Sequence, residues 1–256
     1  MKIVVAIKQV PERDAPVRIA PGSKSIEERD LQWAMNEPDA YALEEALQLK
    51  EKHQGEVVVL SAGPERVGST IREALAKGAD RAIHVVCDDL GQRDALGVAR
   101  LLAAALKAES PDLVLTGLQS EDVGLGQTGV IVAELLGWPH ATLILHAEKT
   151  DGNLKVKREL EEGWFQEIEL PLPAVLTMQS GGNKLRYATL MGIKKAKTKE
   201  VRVVNAAGLG VSGSPVVALE NIASPKKQKQ TQILGGSARE AAAALVEKLK
   251  IEARVL

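Results

Sequence analysis

The sequence predicts an α/β protein: a doubly wound, mostly parallel sheet with helices on both faces, then an antiparallel β ribbon and a C-terminal arm with a helix. Up to about Trp138, short β-branched and aliphatic runs alternate with segments of helical period, which is the pattern of βαβ units. Beyond that point Asp151-Gly152 is a strong hairpin signal flanked by alternating residues, and it predicts the ribbon.

Each element of the predicted core has its own start or stop signal. Four apolar runs predict buried strands over 2–10, 55–64, 81–86 and 112–117. Four segments between or after them predict helices over 36–53, 65–80, 94–111 and 128–138. The first helix has an apolar stripe at Ala42, Ala46 and Leu49, and the second and fourth end at Gly78 and Gly137.

The chain after the core predicts a different architecture. The ribbon covers 141–160, and a turn at Glu162-Gly163 returns the chain to an apolar strand over 174–178. A loose polar segment, 223–239, precedes a final amphipathic helix over 237–250. This helix either packs on its own domain or docks on a partner, and the pattern alone does not separate the two.

Composition excludes several classes of protein. The 256 residues have a formal net charge of -1, which argues against general affinity for nucleic acid or anionic membranes. No apolar run approaches the roughly 20 residues of a membrane span, and we expect no signal peptide. Cys87 is the only cysteine, and the four histidines lack ligand-like spacing, so we expect a reducing compartment and no zinc site, with surface or half-buried histidines.

The loops that follow the parallel strands are the candidate binding site, because ligands of open parallel sheets bind at the carboxyl ends of the strands. These loops are 8–11, 62–64, 86–89 and 117–129. The last is rich in glycine, and the helix start at Gln127-Thr128-Gly129 offers free N–H groups to a phosphate. An ordinary βα turn explains the same residues equally well.

Other chemistries are weakly supported. The P-loop spacing is absent, no lysine lies in the 117–129 loop, and the first βα turn lacks a dinucleotide glycine fingerprint. No nucleophile elbow is present, and the adjacent Glu44 and Glu45 are interpreted as solvated charges. The sequence therefore favours a binding protein and not a catalyst of bond breaking.

Several stretches together resemble the β subunit of electron transfer flavoprotein. They are "VAIKQV", "NEPDAYALEEALQLKE", "KGADRAIHV", "PDLVLTGLQSEDVGLGQTG", "ELLGWPHAT", "KVKRELEEG", "LPAVLT" and "NKLRYATLMGIKKAKTK". The likeness runs in order from residue 1 to about 205, and the last 50 residues match loosely. It divides the chain into a nucleotide-binding α/β domain, 1–205, and an arm and helix, 206–256, that dock on the α subunit.

The resemblance implies an electron carrier without its own bond-breaking site. It implies a heterodimer in which the α subunit mainly binds flavin adenine dinucleotide (FAD) and the β subunit binds adenosine monophosphate (AMP) in a structural role. Electrons come from flavin dehydrogenases of the acyl-CoA or amine type, in fatty acid or amine oxidation, and pass to an acceptor such as a quinone oxidoreductase. The expected location is the cytoplasm, or the mitochondrial matrix in a eukaryote.

The same resemblance assigns site residues position by position. Nucleotide contacts fall at the end of the first strand, in the "NEPD" turn, in "SAGP" and in the glycine-rich loop. They are Ala6, Asn36, Glu37, Pro38, Asp39, Ala62, Gly117, Leu118, Gln119, Ser120, Glu121, Asp122, Val123, Gly124, Leu125, Gly126, Gln127 and Thr128. Backbone groups at Ala6 and Ala62 would contact the adenine side, and the loop with its helix start would contact the phosphate. Asn36 and Asp39 could also act as helix caps.

The resemblance also implies a segment that recognises partner dehydrogenases. It comprises Tyr187, Ala188, Thr189, Leu190, Met191, Gly192 and Ile193, with Leu190 as an apolar anchor. The lysines at 194, 195, 197 and 199 could steer an acidic partner. Without the resemblance, Leu190 reads equally well as a core residue.

One departure and two alternatives remain at the sequence level. Some family members have a tyrosine after the first strand that approaches the flavin, whereas this chain has "PERDAP" with Arg13 nearest in register, which puts that contact in doubt. The alternatives are a bifurcating β subunit with its own FAD, and a stand-alone α/β protein that binds an adenine nucleotide.

Overall fold

The computed structural model describes residues 1–22, 24–211, 214–225 and 231–255, in two compact units, Met1–Ile222 and Ala223–Leu256. The strands are β1 (Lys2–Ala6), β2 (Gln9–Pro11), β3 (Trp33–Met35), β4 (Glu56–Gly63), β5 (Arg81–Val86), β6 (Leu113–Gly117), β7 (His140–Lys149), β8 (Asn153–Glu159), β9 (Phe165–Pro171), β10 (Ala174–Met178) and β11 (Val201–Asn205). The α-helices are α1 (Glu37–His53), α2 (Gly68–Lys77), α3 (Ala95–Glu109), α4 (Thr128–Leu136), α5 (Leu190–Ala196) and α6 (Ala238–Lys248).

The large sheet has nine strands in the order β11-β5-β4-β1-β6-β10-β7-β8-β9. Pairing is parallel from β11 to β7, and β7, β8 and β9 form an antiparallel ribbon. The predicted fold class is therefore confirmed. A two-stranded antiparallel sheet, β2 with β3, was not predicted, because strands of three residues are too short to show a periodic pattern.

Two apolar layers cover the sheet, one on each face. Side chains of α1 and α2 pack on one face, with Leu43, Leu47 and Ile71 fully enclosed. Side chains of α3 and α4 pack on the other face, with Leu101 and Val132 enclosed. Helices on both faces of a parallel sheet are expected for a doubly wound fold.

The first unit continues past the last strand. Asp94 caps the start of α3, since its Oδ1 accepts a hydrogen bond from the Gly97 N–H at 2.8 Å. Its Oδ2 accepts hydrogen bonds from the backbone N–H groups of Val216 and Val217, at 2.8 and 3.1 Å. Residues up to Ile222 are thus part of the first unit.

The second unit contains the predicted final helix. Ser237 and Glu240 form a reciprocal capping box at the start of α6, and the helix continues into a π-type turn over Leu249–Ala253. No side chain of α6 is buried within the described part of the chain. Residues 226–230 of the predicted loose segment lie outside the described residues.

The interpretation of Glu44 and Glu45 as solvated charges is wrong. Both carboxylates are buried on the inner side of α1. Glu45 Oε1 accepts a hydrogen bond from the Ala147 N–H at 2.6 Å, and its Oε2 accepts one from Asn183 Nδ2 at 3.1 Å. Neighbouring sequence positions could not show this, because the partners lie about 100 or more residues away.

We expect Glu45→Ala to lower the free energy of unfolding by about 3 kcal/mol, because it leaves the buried Ala147 N–H without an acceptor and removes one acceptor of the half-buried Asn183 amide. Urea unfolding of the full chain measures the change. Lys52→Ala is the control on the same helix: it breaks an exposed ion pair with Glu148 of β7 and should leave stability nearly unchanged. Equal losses in the two variants would contradict the structural role of Glu45.

Candidate functional site

The strand order reverses between β1 and β6. From β1 the chain adds β4 and β5 on one side, and it then crosses to place β6 on the other side of β1. The connecting helices α1 and α3 therefore lie on opposite faces and diverge at this point. A crevice at the carboxyl ends of such strands is where ligands bind in doubly wound sheets.

Asp39, in the first turn of α1, joins the two strands that border this crevice. Its Oδ2 accepts a hydrogen bond from the Lys8 N–H at 2.7 Å, just after β1, and its Oδ1 accepts one from the Gly117 N–H at 2.8 Å, at the end of β6. Burial raises the pKa of Asp39 to about 6, against the hydrogen bonds, which lower it. A single carboxylate thus bridges the switch point.

Asn36 secures the glycine-rich loop. Its Nδ2 donates to the Gln119 carbonyl at 3.0 Å, and its Oδ1 accepts from the Glu121 N–H at 3.0 Å. The side chain makes no cap hydrogen bond to α1, so the suggestion that Asn36 also caps the helix through its side chain is wrong. Both hydrogen bonds of this buried amide are made to the loop, so the Asn36 side chain holds the loop in place.

Two glycines in this region are required by space. A Cβ on Gly117 would lie 2.3 Å from Asp39 Oδ1 and 2.7 Å from Pro38 Cβ. A Cβ on Gly129 would lie 2.6 Å from Thr116 Oγ1 and 2.6 Å from Thr177 Cγ2. Because Gly117 has no side chain, α1 can approach β6. Because Gly129 has none, the start of α4 can approach β6 and β10.

Lys8 supplies the cation that the loop itself lacks. Its Nζ lies 2.6 Å from Asp122 Oδ1 and 3.2 Å from Ser120 Oγ, both in the 117–129 loop. Sequence reasoning placed Lys8 in a strand-end loop but did not connect it with the glycine-rich loop, since the two are more than a hundred residues apart. Parallel pairing of β1 with β6 brings them together.

The amino end of α4 forms one wall of the crevice. Its first intrahelical bond is from the Ile131 N–H to the Gln127 carbonyl, so the N–H groups before it have no acceptor in the helix. Gln127 gives no side-chain cap, and Thr177 Oγ1 beneath the helix is buried with no hydrogen-bond partner among the described residues. Unpaired donors at a helix start favour an anion there.

The four predicted nucleotide-contact stretches lie at one edge of the sheet. Ala6 ends β1, Ala62 lies near the end of β4, and the register places them on adjacent strands. The loop between β6 and α4 has left-handed turns at Gly124 and Gly126, with φ of 67° and 64°. Its Val123 and Leu125 side chains are exposed. Contact of these residues with a nucleotide stays a prediction.

The recognition segment, 187–193, lies apart from the crevice. Thr189 caps α5, accepting the Gly192 N–H at 3.0 Å, and α5 begins at Leu190. Leu190 is 81% exposed and Tyr187 is 91% exposed, so neither is a core residue. Met191 and Ile193 are exposed as well, and together they form an apolar surface.

The lysines after this segment differ in their surroundings. Lys194, Lys195 and Lys197 are exposed. The expectation that Lys199 steers a partner is wrong, because its Nζ donates to the Leu75 and Ala79 carbonyls at the end of α2. Burial lowers the pKa of Lys199.

Other predicted features also have outcomes in the described ranges. His84 is buried, 3.0 Å from the Gly63 carbonyl, and not a surface or half-buried residue as predicted. The described residues hold no cluster of histidine, cysteine and acidic side chains that could bind a metal. None of their helices is long and apolar enough to cross a membrane. Arg13 is exposed.

The chain also matches a known protein family and several known proteins. The family model of the electron transfer flavoprotein domain matches residues 24–209. The electron transfer flavoprotein subunit beta of Methylophilus methylotrophus is 41% identical over 252 residues, covering 94% of this chain and 96% of the relative. The mitochondrial electron transfer flavoprotein subunit beta of Oryza sativa subsp. japonica is 39% identical over the full length of both chains. The electron transfer flavoprotein subunit beta of Homo sapiens is 36% identical, covering 100% of this chain and 99% of the relative.

The family match over residues 24–209 identifies the doubly wound domain as an electron transfer flavoprotein domain. The relatives cover 94% or more of the chain and carry one subunit name. The chain therefore belongs to the electron transfer flavoprotein β-subunit family, as the sequence predicted.

The Asp39 carboxyl should give stability a defined pH dependence. Its pKa is about 6 in the folded chain against 3.8 as the reference, so the folded state binds its proton to higher pH and the free energy of unfolding falls as pH rises between about 4 and 6. Asp39→Asn does not titrate. The quantity to measure is the free energy of unfolding of the unmodified chain minus that of Asp39→Asn. We expect this difference to fall by roughly 3 kcal/mol between about pH 4 and pH 6. A difference that grows with pH would show that the carboxylate form is preferred in the folded state.

Proposed function

We propose that this chain is the β half of a heterodimeric electron transfer flavoprotein. Together with an α subunit that mainly binds FAD, it passes electrons from flavin dehydrogenases of the acyl-CoA or amine type to an acceptor such as a quinone oxidoreductase. The flavin supplies the redox chemistry, and this chain serves as a carrier subunit without its own bond-breaking step. The family membership and the exposed recognition segment support this role.

The nucleotide of this subunit is AMP, bound at the crevice between β1 and β6. The observation that carries this assignment is the meeting of four strand-end stretches beside the unpaired N–H groups at the start of α4. Those N–H groups suit a phosphate, and the Ala6 and Ala62 backbones suit the adenine side. Asn36 and Asp39 position the loops and do not need to touch the ligand, because their polar atoms are already bonded.

The role of the AMP is structural. No pair of acid and base is required to hold it, because the groups at the start of α4 are unpaired backbone amides, and the Lys8 ammonium is paired with Asp122 of the loop. A phosphate that satisfies buried donors stabilises the folded chain by mass action. The nucleotide therefore ties the glycine-rich loop to α4.

The C-terminal arm and the recognition segment serve different partners. The arm and helix, 206–256, dock on the α subunit, for which the exposed apolar residues Leu245, Val246 and Ile251 provide contact area. Leu190 anchors in an apolar pocket of the dehydrogenase, with Lys194, Lys195 and Lys197 attracting acidic groups around it. The complex works in the bacterial cytoplasm or in the mitochondrial matrix.

Release of the bound nucleotides tests this assignment. The chain is coexpressed with an α subunit of its family, the purified complex is denatured, and the released nucleotides are identified by mass spectrometry. We expect one FAD and one AMP for each heterodimer. Two FAD molecules would instead support a bifurcating β subunit. A stable chain that binds a nucleotide and ignores the α subunit would support a stand-alone nucleotide-binding protein.

Leu190→Ala should weaken coupling to the dehydrogenase, because truncation removes an exposed apolar anchor. We expect KM for the dehydrogenase to rise about tenfold or more, as for an interface hot spot of roughly 2 kcal/mol. AMP content and thermal unfolding should not change. Leu160→Ala, another exposed leucine outside both the segment and the arm, is the matched control. Loss of nucleotide or of folding in Leu190→Ala would mean that the side chain has a structural role.

A further inference from the structure

The recognition segment needs support from outside itself. Helix α5 has seven residues, and isolated helices shorter than about 12 residues are marginal in water. Of these seven, only Ala196 is buried, and the apolar side chains face solvent. A surface of this kind cannot be kept in one conformation by its own core, so its geometry depends on the contacts at its two ends.

Arg186 attaches the amino end of the segment to α1. Its Nε and Nη2 donate to Glu44 Oε2 and Oε1 at 2.8 and 3.0 Å, which is a bidentate pair. Its Nη1 donates to Glu51 Oε1 at 2.6 Å, and its backbone N–H also lies 3.3 Å from Glu44 Oε2. Tyr187, the first residue of the segment, follows directly.

The surroundings of Glu44 and Arg186 favour the charged form of both side chains. Burial acts to raise the pKa of Glu44, but hydrogen bonds from Arg186 and Gln48 outweigh it and leave that pKa below its usual value. The Glu44 and Glu51 carboxylates raise the pKa of Arg186. A planar guanidinium can bond both carboxylates at once, whereas the point charge of a lysine cannot reproduce the same fork.

Contacts with α2 attach the carboxyl end. A Cβ on Gly192 would lie 2.3 Å from the Ala76 carbonyl oxygen, so only a glycine lets α5 approach α2 this closely. Arg72 Nη1 donates to the Ala196 carbonyl at 2.6 Å and to the Lys199 carbonyl at 3.0 Å. Lys199 Nζ in turn donates to the Leu75 carbonyl in the last turn of α2. Each helix end thus has a carbonyl bonded by a side chain from the other segment.

We infer that Arg186 is a positioning residue for partner recognition: through Glu44 and Glu51 it fixes the recognition segment on α1 so that Leu190 is presented in one geometry. The inference rests on the proposed function of Leu190. Fixing a segment in its bound conformation removes an ordering cost from association, so the effect falls on partner affinity and not on the electron-transfer step.

Arg186→Met, which keeps the stem and removes the guanidinium, tests the inference in the αβ complex. The donors are an acyl-CoA dehydrogenase and an amine dehydrogenase, each reduced by its own substrate. We expect KM for the more efficient donor to rise roughly tenfold with kcat unchanged. Arg186→Lys should recover part of the loss, because it restores the charge without the fork. Lys155→Met, which breaks the exposed ion pair with Glu167 on the ribbon, is the control.

A double variant separates positioning from general stability. If Arg186 acts through Leu190, Arg186→Met should add little to the KM of Leu190→Ala, whereas independent effects would multiply. A normal KM for Leu190→Ala would overturn the proposed anchor. A raised KM for Leu190→Ala beside a normal one for Arg186→Met, or fully multiplicative effects, would overturn the positioning role alone.

Hydrogen exchange gives a readout that does not depend on the donor. In Arg186→Met the amides of 187–193 should exchange faster, with those of α1 unchanged. If Arg186→Met does not fold, Gly192→Ala displaces the other end of the segment and should give the same rise in KM with Arg186 intact. Unchanged exchange in 187–193 in whichever variant folds would overturn the inference.

Discussion

The two hydrogen bonds to the Asp39 carboxylate are the interaction on which the site depends. The strand order reverses between β1 and β6, and the helices that follow them lie on opposite faces, so nothing in the sheet itself closes the edge there. Asp39 bonds the first free N–H after β1 and the last N–H of β6. Burial of this charge is costly, and its two donors offset only part of that cost. The absence of a side chain at Gly117 is what makes the approach possible.

Helix α1 supports both functional surfaces. Its first turn bonds the loops at the crevice, and Glu44 bonds Arg186, which precedes the recognition segment. Glu44 lies five positions after Asp39, which is about 7.5 Å along a helix. Because one helix carries both sets of bonds, the crevice proposed for the nucleotide and the surface proposed for the partner keep a fixed geometry relative to each other.

Buried and exposed charges have different roles along the chain. Asp39, Glu44 and Glu45 are enclosed and fully used in bonds within the fold, whereas Lys194, Lys195 and Lys197 are exposed beside apolar side chains. Enclosed pairs are little screened by salt, while exposed charges act mainly on encounter with a partner. The same division explains why Lys199, in a run of lysines, belongs to the first group and not the second.

The sequence by itself determined the elements and the family. Strand and helix periods, the turns at Gly78, Gly137 and Asp151-Gly152, and the four strand-end loops all depend on local spacing, and the structure has them. Only the tertiary structure decided the partners of Lys8, Asn36, Glu44 and Glu45, and the partial burial of Lys199. Those contacts join residues about 80 to 140 positions apart, and local pattern cannot specify which distant group a buried charge will meet, because the sheet register and the helix packing make that choice.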